Sequence, residues 1–445
     1  MKIYNTLTKR IEEFKPLSDK KINLFVCGPT VYDFFHIGNA KTYTQFDFIA
    51  RYLRFRGYEV FYLQNITDID DKIISRAKER GTTWDKLAGQ YEQYYFEDMK
   101  ALHNKAVTKH AKATDYIPQI VAQVKILLGK DIGYKTSDGI YFDISKFATY
   151  GKLSGRTQAD QNAGVSRIDD SLDKKNKNDF CLWKFSKTDE PFWETELGKG
   201  RPGWHIEDTA ITETFFGPQY DIHGAAIDLI FPHHEAEIAQ MESASGKSPL
   251  VQVWMHAAFL NIGAQKMSKS KSNFTSAREA VEKYGYRLLR YFFISANYRT
   301  TLDYSEEALG QARGALDRLD EFIDHVDKNL DDLQNKNLIE ETRNAIIVKL
   351  DNDFDTPGAI AMLFEYIRKQ NVEGKTGRNV YGFLLELNEI FDFLSFDRTI
   401  DLQKGKEIDR LRSEGNFAAS DALRDKYVSS GYTVGTTSNA TIVKK

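Results

Sequence analysis

The first recognisable element in the chain is Ile22–Val26, a short and mostly apolar run stopped by Cys27-Gly28-Pro29. A run of that length before a breaker predicts a buried strand. Past His36-Ile37-Gly38-Asn39, apolar residues recur at three- and four-residue steps: Ala40, Tyr43, Phe46, Ile49 and Leu53. That period predicts a helix, with Gly57 as its stop. A second apolar run, Val60–Leu63, leads into Asn65-Ile66-Thr67-Asp68. Strand, helix, strand in this order predicts a βαβ unit and so the start of a parallel sheet. Ligands of such sheets sit beyond the carboxyl ends of the strands, where Cys27 and Thr67 fall.

From about Thr114 to Gly200 the pattern changes. Short β-like pieces such as Ile140-Tyr141-Phe142 alternate with polar stretches, among them the run from Asp173 to Asp179. This stretch reads as an insertion that splits the parallel-sheet domain. The sheet then resumes. Tyr220–Gly224 predicts a strand and turn, His233–Met241 a helix, and Val251–Leu260 another strand before the polar loop Lys266-Met267-Ser268-Lys269-Ser270. From Ser305 onward the pattern is helical, with one stripe formed by Ala308, Ala312, Leu316, Leu319 and Phe322. Pro357 suits the first turn of a helix, and an apolar-rich stretch runs from Tyr381 to Phe393. Asn416 is placed to cap a last helix ending before Gly431.

Composition narrows the class. A chain of 445 residues is long enough for roughly three domains. The net charge of −3 means that any contact with nucleic acid needs local basic patches. Residues 396–445 are mildly basic, with nine Lys and Arg against seven Asp and Glu. Two cysteines, Cys27 and Cys181, exclude a disulfide scaffold. The first residues lack the apolar core of a signal peptide, and no apolar run is long enough to span a bilayer. The expectation is a soluble cytoplasmic protein with no membrane contact.

Two strings carry chemistry. A histidine and a glycine at a helix start, after a parallel strand, suit phosphate: backbone N–H groups and the helix dipole favour anions. His36 is a donor to a phosphate oxygen as charge builds there. On its own this string is equally well an ordinary helix start. The loop at 266–270 places two lysines among small hydroxyl residues, a cationic segment able to neutralise a departing pyrophosphate. On its own it is a solvated turn. In this order, on an α/β sheet, the two strings resemble the paired HIGH and KMSKS motifs of class I aminoacyl-tRNA synthetases. Asn39 stands where the usual string ends in histidine.

Further strings narrow the resemblance. Phe25 to Asp33, Asn65 to Lys72, Arg201-Pro202-Gly203-Trp204-His205-Ile206-Glu207, and Phe231-Pro232-His233-His234-Glu235 resemble the cysteinyl-tRNA synthetase family, from near residue 20 to about 432. The resemblance implies a Rossmann-like parallel-sheet catalytic domain split by an insertion, an α-helical bundle and a small C-terminal tail domain. The expected bounds are 1–113 and 201–260 for the two catalytic halves and 114–200 for the connective insertion. The KMSKS loop and stem-contact region takes 261–304, the helical tRNA-binding bundle 305–395, and the anticodon-recognition tail 396–445.

The resemblance also implies chemistry. The family keeps Zn²⁺ in its amino-acid pocket, and the ligands fall on Cys27, Asp208, His233 and Glu237. Spacing agrees in part, since residues four apart share a helix face, and these side chains are zinc ligands. Singly, Cys27 and His233 also read as ordinary core residues. Asp208 departs from the family, which has a second cysteine there, and Glu207 beside it is a competing ligand. Thr67 and Trp204 match positions lining the pocket. Gly38, Gly224, Asp228 and Lys269 match ATP-binding positions, although Ala225-Ala226-Ile227 replaces a glycine-rich string. His36, Asn39, Lys266 and Lys269 match the catalytic positions. The partners implied are ATP with Mg²⁺, L-cysteine and tRNA(Cys), bound by a monomer. Two rival readings are a mycothiol-type ligase joining cysteine to an amino sugar, and a tRNA-binding paralog without activation. The long helical region opposes the first, and intact His36 and Lys266 oppose the second. The tail Gly435–Ala440 lacks the tryptophan with which the family's tail ends.

Overall fold

A computed structural model describes residues 1–156, 173–262, 265–266, 274–328, 336–373, 377–396, 402–430, 432–436 and 441–444. The chain divides into two compact units. One comprises residues 1–286 and 298–304, and the other residues 287–297 and 305–445.

The first unit is built on five parallel strands: β1 (Lys21–Val26), β2 (Glu59–Ile66), β3 (Lys109–Lys112), β4 (Tyr220–Ala226) and β5 (Val251–Ala257). Their spatial order is β5-β4-β1-β2-β3. The chain winds outward in one direction from β1, then returns to its other side with β4. That reversal creates a crevice at the carboxyl ends of β1 and β4, where open α/β sheets bind ligands. β1 reads as a nearly continuous apolar run because both sheet faces are covered; Leu24, Phe25 and Val26 have no exposed surface.

Three helices matter for the crevice. Helix α1 (Ile37–Phe55) follows β1, and Gly57 adopts φ +86° just past its end, a left-handed stop that glycine makes without strain. Helices α2 (Ile206–Phe216) and α3 (Glu235–Ser245) flank β4 in sequence. The helix expected from His233 begins two residues later. Residues Ile230–His234 form a wide turn in which Phe231 leaves helical dihedrals (φ −136°, ψ 131°), so His233 precedes α3 rather than opening it.

Within 114–202 the chain forms a helix, Ile117–Gly129, and a four-stranded antiparallel sheet of Gly133–Lys135, Gly139–Phe142, Phe180–Phe185 and Gly200–Pro202. Its core is continuous with α2 and α3: Ile120, Val124, Ile140 and Leu182 pack in one cluster with Ile206, Ala210, Ala236 and Ala239. The strand expected to reach Leu260 ends at Ala257. Leu260–Ile262 is a separate short strand paired with Gln265–Lys266 and with Leu302–Asp303.

The second unit contains helices Glu306–Lys328, Lys336–Leu350, Thr356–Glu373 and Arg378–Phe391. Pro357 sits in the first turn of the third, where its missing N–H is not needed. Asn416 caps Phe417–Ser429, its side chain accepting from Ala419 N. The tail is not helical throughout: Thr433–Thr436 and Thr441–Lys444 pair as an antiparallel hairpin. Among the described residues, no helix is long and apolar enough to cross a membrane.

Candidate active site

Cys27 is the first residue past β1, at the reversal in strand order, and it is buried. Asp208 lies in the first turn of α2 and Glu237 in the first turn of α3, where helix dipoles favour carboxylates. His233 lies in the turn before α3. The ligand atoms of these four buried residues all lie within 4.8 Å of one another.

The details of this group bear on whether it suits a metal. His233 Nε2 is 2.9 Å from Asp208 Oδ2 and also 2.9 Å from Glu237 Oε1. One ring N–H cannot serve two acceptors squarely, and Glu237 Oε1 is left buried without a hydrogen bond. Burial lifts the Glu237 carboxyl above its ordinary range, and Asp208 adds to the rise. Burial also pushes the Cys27 thiol well up, with Glu237 and Asp208 adding to it. For His233, burial alone would lower the pKa, but Glu237 and Asp208 outweigh it and hold the ring up. Two carboxylates and a thiol thus crowd one imidazole nitrogen out of water, a costly arrangement for like charges. A divalent cation among them would reverse those shifts and use the orphaned oxygen. The donor set fits a metal ion.

Cys27 belongs to a second close group, with His223, His234 and Glu237. Its Sγ is 3.2 Å from His223 Nε2 and 3.3 Å from His234 Nε2. The other nitrogens of these rings are also engaged. His223 Nδ1 lies 2.7 Å from Tyr220 OH and His234 Nδ1 lies 2.9 Å from His256 Nε2, whose own Nδ1 meets Thr6 Oγ1 at 2.8 Å. His205 Nδ1 lies 2.8 Å from His233 Nδ1. Anchored on their far sides, these rings form a hydrogen-bonding wall around the sulfur and around His233. Neither spacing nor the motifs single out Tyr220, His205, His223, His234 or His256 as site residues. The available signal was the adjacent pair His233-His234.

The end of β2 sorts the two neighbouring carboxylates of α2. Asn65 Nδ2 donates to Asp208 Oδ1 at 2.6 Å, and Thr67 Oγ1 donates to Glu207 Oε2 at 2.8 Å. Glu207 is therefore turned to Thr67, and Asp208 is the one that joins Cys27 and His233. Trp204 stacks on His233, ring centroids 4.4 Å apart and planes at 29°.

A cleft of about 200 Å³ opens from this cluster. Thr67, Trp204, His36, Asn39 and Asp228 line it with Cys27, Asp208 and His233. His36 caps α1, its Nδ1 accepting from Asn39 N at 3.1 Å. A Cβ on Gly38 would lie 2.9 Å from that Nδ1, so Gly38 makes room for the His36 ring. The backbone on either side is tied down: Ile37 N donates to Thr275 O at 3.0 Å and Ala277 N to Phe35 O at 3.0 Å. Gly224, expected at the cofactor, is not in the lining. It is buried in β4, where a Cβ would meet Phe46 Cε1 of α1 at 2.3 Å, so its reason is helix–sheet packing. Lys266 contributes backbone to the pair with Asn261. Lys269 lies outside the described residues.

The sequence profile of the tRNA synthetases class I (C) catalytic domain matches residues 13–314. A cysteine–tRNA ligase of Thermoplasma volcanium is 43% identical over 96% of this chain and 95% of its own length. One from Thermoplasma acidophilum is 42% identical over 99% of this chain and all of its own length. The fold is similar to that of Mycobacterium tuberculosis methionyl-tRNA synthetase, solved with methionyl-adenylate. The TM-score is 0.62 at 16% identity, over 83% of this chain and 89% of that one. By its sequence over nearly the whole length, and by a class I fold, the chain belongs to the cysteine–tRNA ligase family.

Proposed function

We propose that this chain ligates L-cysteine to tRNA(Cys) with ATP, through a cysteinyl-adenylate. The observation that carries the reading is the meeting of one thiol, one imidazole and two carboxylates at the end of a cleft that also holds His36. Zn²⁺ is the ion that suits thiolate, imidazole and carboxylate together, and when bound it supplies a Lewis acid that takes a substrate thiol as thiolate in preference to a hydroxyl. Cys27, Asp208, His233 and Glu237 would hold it. Trp204 and Thr67 wall the amino-acid end.

At the ATP end, the cysteine carboxylate attacks the α-phosphorus and the bond to pyrophosphate breaks. Because His36 Nδ1 accepts from Asn39 N, a neutral ring carries its proton on Nε2. That N–H is the donor His36 offers to a phosphate oxygen as charge grows there. Asn39 assists at the same helix start. Gly38 keeps the ring in place, and Asp228 takes the ribose of ATP. Mg²⁺ accompanies the nucleotide. Lys266 and Lys269 neutralise the departing pyrophosphate. The adenylate then acylates the terminal adenosine of the tRNA. The chain works as a monomer in the cytoplasm.

ATP–pyrophosphate exchange, run amino acid by amino acid, tests this, with metal analysis on the same sample. Exchange dependent on cysteine, with one zinc per chain and charging of tRNA(Cys), is expected. Exchange without charging would favour a ligase with another acceptor. No exchange would leave a binding protein.

A further inference from the structure

The amide of Asn65 has a fixed orientation. Its Oδ1 accepts from Gly28 N at 2.6 Å, and a backbone N–H is a donor only. Its Nδ2 therefore points the other way, donating to Asp208 Oδ1 at 2.6 Å, with Thr67 Oγ1 further off at 3.4 Å. Asn65 and Asp208 are both buried. One amide thus joins the loop after Cys27 to the first turn of α2. It occupies one oxygen of Asp208 and leaves the other, Oδ2, beside His233 Nε2 at 2.9 Å.

A carboxylate needs this help and a thiolate does not. A carboxylate has two equivalent oxygens and can rotate, present either, or chelate with both. A sulfur presents one atom. Without the donor on Oδ1, that oxygen could turn into the cluster beside Oδ2. Glu207 shows the alternative fate of a carboxylate in the same turn, since it is drawn off to Thr67 Oγ1.

We propose that Asn65 is the positioning residue that makes Asp208 a one-oxygen metal ligand, and that its contribution to metal binding depends on a carboxylate at 208. This rests on the reading that the cluster binds Zn²⁺. Partners of this kind, behind a metal ligand, usually change affinity by about 10- to 100-fold.

The test is a double-mutant cycle read in Zn²⁺ affinity, by competition with a chromophoric chelator, with no assay of activity. Asn65→Ala should weaken Zn²⁺ binding by tens-fold when Asp208 is present. In an Asp208→Cys background the same change should matter little, within about twofold. Equal losses in both backgrounds would mean that Asn65 acts through Gly28 and general structure, and would overturn the proposal. So would no loss with Asp208 present. If the unsubstituted chain binds no Zn²⁺, the metal reading itself fails, a result distinct from either. Should Asn65→Ala not fold by circular dichroism, Asn65→Ser, which keeps an acceptor for Gly28 N, is taken through the same cycle with the same outcomes.

Discussion

An added methyl on Gly38 would meet the His36 ring at 2.9 Å from Nδ1 and 3.0 Å from Cε1. The ring would have to swing away, losing its bond to Asn39 N. Misplacement of a catalytic group by about 1 Å can cost on the order of 100-fold. Gly38→Ala should therefore slow cysteine-dependent pyrophosphate exchange at least tenfold, while cysteine binding at the other end of the cleft changes little. An unchanged rate would separate the glycine from the placement of His36. Lys266→Ala should act later on the same path. In the proposed role its charge meets pyrophosphate mainly as the bond breaks, so turnover should fall on the order of 100-fold with little change in cysteine KM. A variant whose exchange turnover is unaltered would remove Lys266 from this role. At this scale, of the residues gathered at the cluster and cleft, Cys27, His36 and Trp204 were legible because each sits inside a recognisable string. Asn65, Tyr220 and the wall of histidines were not legible as site residues. Their worth lies in which atom faces which, and five of the nine histidines become buried only through folding.

Helix α1 carries a buried lysine that no motif announces. Lys41 has no exposed surface, and its Nζ donates to Ala258 O at 2.7 Å. Burial pulls its ammonium down to about 7 from an ordinary 10.5. The folded pKa is thus below the unfolded one. Between those values the unfolded chain binds more protons, so Lys41 makes stability rise with pH from about 7 towards 10.5, by at most ~1.4 kcal/mol per unit. Below about 7 both states are protonated and the slope vanishes. Denaturant unfolding of the parent chain and Lys41→Met, compared from about pH 6 to 9, should show their difference moving in the parent's favour only above 7. Other titrating groups cancel in that difference. A difference flat across the range would mean that the lysine keeps one charge state. The elements themselves were readable in outline from periodicity: the β1, α1 and β2 expectations overlap the observed spans closely. Their ends were less so. The early end of β5 and the wide turn at His233 are set by pairing and backbone dihedrals that apolar spacing does not encode.

Strand order, too, was legible only in part. A βαβ start implies parallel neighbours, but the return of β4 to the far side of β1 depends on contacts across nearly two hundred residues. The hairpin that ends the chain was not legible, because Thr433–Thr436 and Thr441–Lys444 are short and mostly polar. That hairpin helps to define what removal of the tail would do. Val434 and Val443 pack with Ile408 in a small core of their own. The bonds that tie this tail to the bundle include Arg378, which pairs with Asp409 and donates to Thr441 O at 2.7 Å. Deleting the residues after Phe396 takes away both partners together with the small core. Arg378 then gains water in their place, so the bundle loses a tether and keeps buried apolar residues of its own, among them Tyr381, Leu384 and Leu387. Cys27, Asp208, His233, Glu237 and every residue lining the cleft belong to the other unit. Pyrophosphate exchange should therefore stay within about twofold, while aminoacylation should weaken chiefly through tRNA KM on the reading that the tail contacts unstacked loop bases. The two assays on one truncated preparation decide it: parallel loss of both would make the tail a structural support, and loss of charging alone would make it a tRNA contact.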